Sequence, residues 1–133
     1  MTLQEFADRL AEVASDRKAA DTFRNQLLSP FSKSQLEDIP PRKTVACVLR
    51  LYLVTVMHEQ DEDWGECAAF KDIYECRVCA NAIAQVCVKG YMKPVNAREF
   101  GINLPLSDEE AENIIEIVRQ NLLSDAKNKK FKI

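Results

Sequence analysis

Apolar residues recur along this chain at intervals of three and four, and no stretch alternates apolar with polar positions. That period is helical. Leu3, Phe6, Leu10, Val13 and Ala14 share one face behind Thr2 and Glu5, a capping-box pair, which predicts a helix from about 3 to 14. A second helix is expected from about 18 to 29, stopped near Pro30, with a short helical turn over Ser32 to Asp38 before Pro40-Pro41. Arg42 to His58 is the most apolar segment. Val45, Cys47, Val48, Leu49, Leu51, Tyr52, Val54 and Val56 sit nearly all round it, which predicts a central, buried helix. Beyond an acidic loop, EQDEDWGE, residues 74–89 predict a helix closed by Gly90 as its C-cap. Tyr91 to Pro105 reads as a structured loop. Ser107 with Glu110 then forms a second capping box before a last helix, whose core contacts are Ile114, Ile115, Ile117 and Val118. The expected class is all-α, with about five helices in a single domain over 1–133.

Composition narrows the function classes. The chain has 133 residues, 47% apolar and 29% charged, the balance of a globular protein. A net charge of −3 creates no field drawing it to nucleic acid, so the Lys-rich end (KNKKFKI) is expected to be a solvated basic tail over 123–133. The start, MTLQEFADRL, has no basic region followed by an apolar run, and Val45 to Met57 is interrupted by Arg50 and too short to span a bilayer. Neither a secretory signal nor a membrane segment is expected. Five cysteines, an odd number, in a domain of this size point to a reducing, cytoplasmic compartment if the chain is full length. An excised piece of an exported protein would instead work at the cell surface.

Candidate chemistry centres on the cysteines. Cys67, Cys76, Cys79 and Cys87 follow C-x8-C-x2-C-x7-C, which fits no standard zinc framework of two close pairs held by turns. On a helix, Cys76, Cys79, Ile83 and Cys87 span an arc of about 80°, with apolar Ile83 in its middle. Three readings stand: a packed stripe of small hydrophobes, a metal site, and a thiol-redox pair activated by the helix N-terminus. Packing is preferred, because CxxC redox pairs normally follow a strand. His58, the only histidine, is expected at the surface. Asp61, Asp63 and Asp72 imitate positions 1, 3 and 12 of a calcium loop, but Gly65, Glu66 and Asp72 itself stand where that loop needs a ligand, a glycine and a bidentate Glu. A solvated acidic turn is the better expectation. No phosphate-cradling loop, Ser/His/Asp set or paired catalytic carboxylates can be assembled, so neither an enzyme nor a cofactor is expected.

From Phe70 to about Arg119 the chain resembles the S-layer homology repeat, a helix–loop–helix unit. Phe70, Asp72 and Ile73 match its opening F-x-D-[VI]. Ala82-Ile83 match an Ala-Ile pair in its first helix, Gly90 the glycine ending that helix, and Phe100 a loop phenylalanine. Pro105, Leu106 and Ser107-Asp108-Glu109-Glu110 follow its passage from a proline and an aliphatic residue into the signature T-R-A-E. The family's helix tryptophan is Val78 here, its loop glycines are Pro94 and Arg98, and its signature Arg is Asp108. Upstream, Pro41-Arg42-Lys43-Thr44 looks like the second half of a more divergent repeat, with Arg42 in the signature position. The resemblance implies an N-terminal helix at 1–16, a divergent repeat at 18–58 and a better repeat at 70–122, packed around the central apolar helix.

In that family the signature Arg helps to bind anionic cell-wall polysaccharide, which by position marks Arg42, Asp108 and Glu110 as ligand-binding candidates. The anion at Asp108 repels such a ligand. Wall anchoring typically uses three repeats, and two leave faces uncovered. The expected function is therefore a non-catalytic interaction module, mediating protein–protein contact or self-association. The alternatives are a wall-glycan anchor using Arg42, Lys43 and Arg50, and a metal or thiol-redox protein using Cys67, Cys76, Cys79 and Cys87.

Overall fold

A computed structural model describes residues 1–130, and it is all-α. The described residues form α1 (Leu3–Val13), α2 (Arg17–Leu28), the single-turn α3 (Lys33–Glu37), α4 (Arg42–Thr55), α5 (Arg77–Val88) and α6 (Asp108–Lys130). Two 3-10 turns, Gly65–Ala69 and Asp72–Glu75, lead into α5. α4 packs against α5, α2 and α1, and α1 also contacts α2, α3 and α6. In the region of the expected basic tail the chain stays helical to Lys130, and positions 131–133 lie outside the described residues.

The helix ends follow from local chemistry. Thr2 Oγ1 accepts from the Glu5 N–H at 3.1 Å, and Asp16 Oδ1 caps α2 through the Ala19 N–H at 3.1 Å. Ser32 and Gln35 exchange backbone and side-chain hydrogen bonds in a full capping box on α3. α5 ends in a Schellman motif, in which the Tyr91 N–H donates to the Val86 carbonyl at 2.9 Å and the Gly90 N–H to the Cys87 carbonyl at 3.1 Å. That turn holds Gly90 at φ +84°, where a Cβ would strain the backbone. α6 departs from expectation. Ser107 Oγ accepts from the Glu110 N–H at 3.1 Å, but the Glu110 carboxylate turns away to Arg42, so only half the box forms.

The buried residues form one continuous cluster from Leu3 to Val118. Phe23 of α2 meets Tyr52 of α4 edge-on, with ring centroids 5.2 Å apart. Ion pairs brace α1 on both sides: Arg9 forks onto Glu112 at 2.8 and 2.9 Å, and Arg24 reaches Asp8 at 2.7 Å. α4 is central but not buried all round. Cys47 and Leu51 are half-buried and Val54 is 40% exposed, so one apolar strip along it meets solvent.

The chain between α5 and α6 has no regular structure, so its backbone needs side-chain partners. Asp72 supplies them: its carboxylate accepts the N–H groups of Phe100 at 2.8 Å, Gly101 at 2.7 Å and Ile102 at 3.2 Å. Burial pushes the Asp72 carboxyl up, and the three backbone donors outweigh it, leaving the group below its ordinary value. The depressed value makes the contribution one that is present above the ordinary aspartate range and lost as pH falls through the folded value. We expect Asp72→Asn to lower the unfolding free energy by roughly 2 kcal/mol at pH 7. Urea denaturation of both proteins should show that gap shrinking between about pH 5 and pH 2; a pH-independent gap would mean that the charge contributes nothing.

Candidate functional site

At its N-terminus α4 carries a buried cation. Arg42, the first residue of α4 after the N-cap Pro41, is only 4% exposed. Its Nε donates to Glu110 at 3.0 and 3.2 Å, and its Nη2 donates to Glu110 Oε2 at 2.8 Å. Nη1 donates to the Phe100 carbonyl and Nη2 to the Lys93 carbonyl. The guanidinium carbon lies 4.5 Å from the centre of the Phe100 ring, whose other neighbour is Phe70 at 6.3 Å. The backbone around it is tied as well. Arg42 and Lys43 N–H groups donate to the Leu104 and Ile102 carbonyls at 2.9 Å, and the Leu106 N–H donates to the Pro40 carbonyl at 3.0 Å. These bonds create a single antiparallel bridge between Pro41 and Pro105.

The ligand-binding candidates are thus partners of one another or of the backbone. Arg42 and Glu110 form one pair, and Asp108, 81% exposed, faces the Met1 α-amino group. Glu110 and Ser107 do line a groove of about 610 Å³ between the Gly90 turn and α6. Its charged lining is mainly acidic, with Glu109, Glu110 and Glu116 against Lys93. Among the positions matched to the repeat pattern, Phe70, Ile73, Ala82, Ile83 and Phe100 are buried core residues.

The acidic loop is exposed from Gln60 to Asp63 and at Gly65 and Glu66, as a solvated turn would be, and it is also tied to the helices. Gln85, fully buried on α5, accepts from the Glu62 N–H and donates to the Glu62 carbonyl, both at 2.8 Å, pairing with the loop as a strand would. Arg50 forks onto Asp61 at 3.1 and 2.6 Å, and that contact holds the Asp61 carboxyl below its usual range. Lys89 reaches Glu59 at 3.1 Å, and the Trp64 indole donates to Asn81 at 2.9 Å. Asp61, Asp63 and Asp72 therefore serve three separate local roles, Asp63 accepting from the Gly65 N–H at 2.9 Å. His58 is exposed, in a left-handed turn at φ +57°.

Four cysteines pack with the core, Cys67 and Cys79 inside it and Cys76 and Cys87 against it, but they are also paired, which the packing expectation did not include. Cys67 is bonded to Cys87, and Cys76 to Cys79, with Cα separations of 6.3 and 5.2 Å. The 3-10 turn at Gly65–Ala69 lies against α5 and carries Cys67 to Cys87, a placement that helical periodicity within α5 does not encode. Their pairing removes the basis for reading a reducing compartment from the cysteine count. The four do not converge on one point, and among the described residues no group of three or more metal-ligating side chains does. Cys47 is unpaired, and burial pushes its thiol up, with Arg50 partly offsetting this.

A second groove, of about 470 Å³, runs between α2, α4 and α5. Phe31, Cys47, Leu51, Val54 and Val78 form its apolar wall, and Val78 projects from it, 90% exposed. No helix among the described residues is long and apolar enough to cross a membrane. Compared with protein-family models, curated proteins and solved structures, the chain matches none.

Arg42 is expected to be structural. Arg42→Ala should lower the unfolding free energy by roughly 3–5 kcal/mol, because it strands a partly buried Glu110 carboxylate. Arg42→Lys should recover only part of that, since one ammonium cannot replace a planar fork. Urea denaturation measures both; a loss under about 1 kcal/mol would place the pair with ordinary surface contacts.

Proposed function

We propose that the chain is a non-catalytic helical interaction module, resembling the S-layer homology repeat, that self-associates through the α2–α4–α5 groove. The observation that carries this is a knob and a hole on one patch. Val78 projects from α5 at 90% exposure beside the recess lined by Phe31, Leu51 and Val54. A patch that carries both can meet its own copy across a two-fold axis, each Val78 entering the other's recess. Apolar side chains grouped in this way are what an interface buries.

The repeat reading is supported by the Pro41–Pro105 bridge. It joins the entrances of α4 and α6, the two helices that the pattern places second in successive repeats. The glycan-anchor alternative is less well supported. Arg42 is engaged by Glu110 and two carbonyls, and an anionic polymer at the larger groove would face three glutamates.

Sedimentation equilibrium tests the reading. The native chain should show a concentration-dependent dimer, and Val78→Glu should shift the dissociation constant by at least about tenfold with helical content unchanged. A native chain that stays monomeric at millimolar concentration, or a Val78→Glu dimer of native strength, overturns it.

A further inference from the structure

The two disulfides of this chain have different physical situations. Cys67–Cys87 joins residues 20 apart and fastens the Gly65–Ala69 turn to the end of α5, so it constrains the unfolded chain. Cys76–Cys79 joins residues three apart within one helical turn and closes almost no loop. As a staple it is nearly redundant.

Its surroundings are those of a reactive pair. Cys76 is the N-cap of α5 and makes no side-chain capping bond, and Cys79 lies in the first turn. Unpaired N–H groups at a helix start favour a thiolate there. Arg77, exposed between the two cysteines, adds a positive neighbour, with Glu75 exposed on the other side. Cys76 is half-buried and Cys79 is 8% exposed, so Cys76 is the more accessible of the two and Cys79 is the leaving group. Val78, the residue between them in sequence, lines the apolar groove, which seats an incoming apolar segment beside the start of α5, although neither sulfur lines the groove itself. Cys47 lines that groove too, but burial raises its thiol and keeps it protonated.

We propose that Cys76–Cys79 is a thiol–disulfide exchange site that oxidises cysteine pairs in another polypeptide. A substrate thiolate attacks the Cys76 sulfur. A substrate–Cys76 bond forms, the Cys76–Cys79 bond breaks, and its electron pair leaves on Cys79. A second thiolate of the same substrate attacks the first substrate sulfur and releases Cys76. Two substrate thiols thus lose two electrons and two protons and become a disulfide, and the Cys76–Cys79 pair is reduced to the dithiol. A small-molecule disulfide of the glutathione class restores it by the reverse exchange.

The test uses the full chain and glutathione. Under titration with reduced glutathione, followed by alkylation and mass spectrometry, Cys76–Cys79 should open at concentrations at least about tenfold below those that open Cys67–Cys87, with the helical signal unchanged. With oxidised glutathione, Cys79→Ser should form a mixed disulfide on Cys76 at least about tenfold faster than Cys76→Ser forms one on Cys79. Bridges that open together, opening only with loss of helix, or equal adduct rates in the two variants overturn the proposal. None of these readouts depends on whether the groove holds a second copy.

Discussion

A guanidinium taken out of water must have its N–H donors met within the protein, and the α5–α6 connection and the start of α6 are arranged to meet those of Arg42. Its partners come from separate segments: the Lys93 and Phe100 carbonyls in the connection before α6, and Glu110 in the first turn of α6. No one of them can leave without stranding the charge. The same requirement accounts for the half-formed cap of α6, where Glu110 serves Arg42 instead of Ser107, because a buried cation outweighs one exposed backbone donor.

Asp72 is the counterpart of Arg42. The irregular connection between Val88 and Asp108 has carbonyls with no ladder and N–H groups with no ladder. Arg42 takes two of the carbonyls, and Asp72 takes three of the N–H groups. Phe100 sits where the two meet, with its carbonyl on the cation, its N–H on the anion and its ring between Arg42 and Phe70. A long connection is fixed here by a pair of opposite charges that never touch each other.

The parts of this structure that were legible in the sequence are those set by neighbours along the chain. Thr2 and Glu5, and Gly90 after an apolar helix, each specify a helix end through contacts a few residues apart. The carboxylate bonds of Asp72 to a loop 28 to 30 residues away were not among them. What stayed hidden depends on distant partners. Gln85 reads as an ordinary polar residue until Glu62 lies beside it, and Cys67 has no visible partner until a 3-10 turn brings it to α5. For the acidic loop, charge pointed to solvent and most of its acidic side chains are exposed there, but the bonds by which Arg50, Lys89 and Gln85 tie it to the helices depend on partners far along the chain.

The groove was hidden for a different reason. A helix apolar on every side has no phase, so the sequence of α4 cannot say which of its faces is left uncovered. α1, α2 and α5 cover most of it, and the strip through Cys47, Leu51 and Val54 is what remains. α5 completes that surface, because Ala80, Ile83, Ala84 and Val86 set its inward face and leave Val78 outside. At the far end of α5, Cys87 is fastened to Cys67; at the near end, Cys76 and Cys79 are fastened only to each other. The N-terminal turn of α5 thus directs Val78 outward, while Cys79 on one side of it packs in the core and Cys76 on the other packs against it.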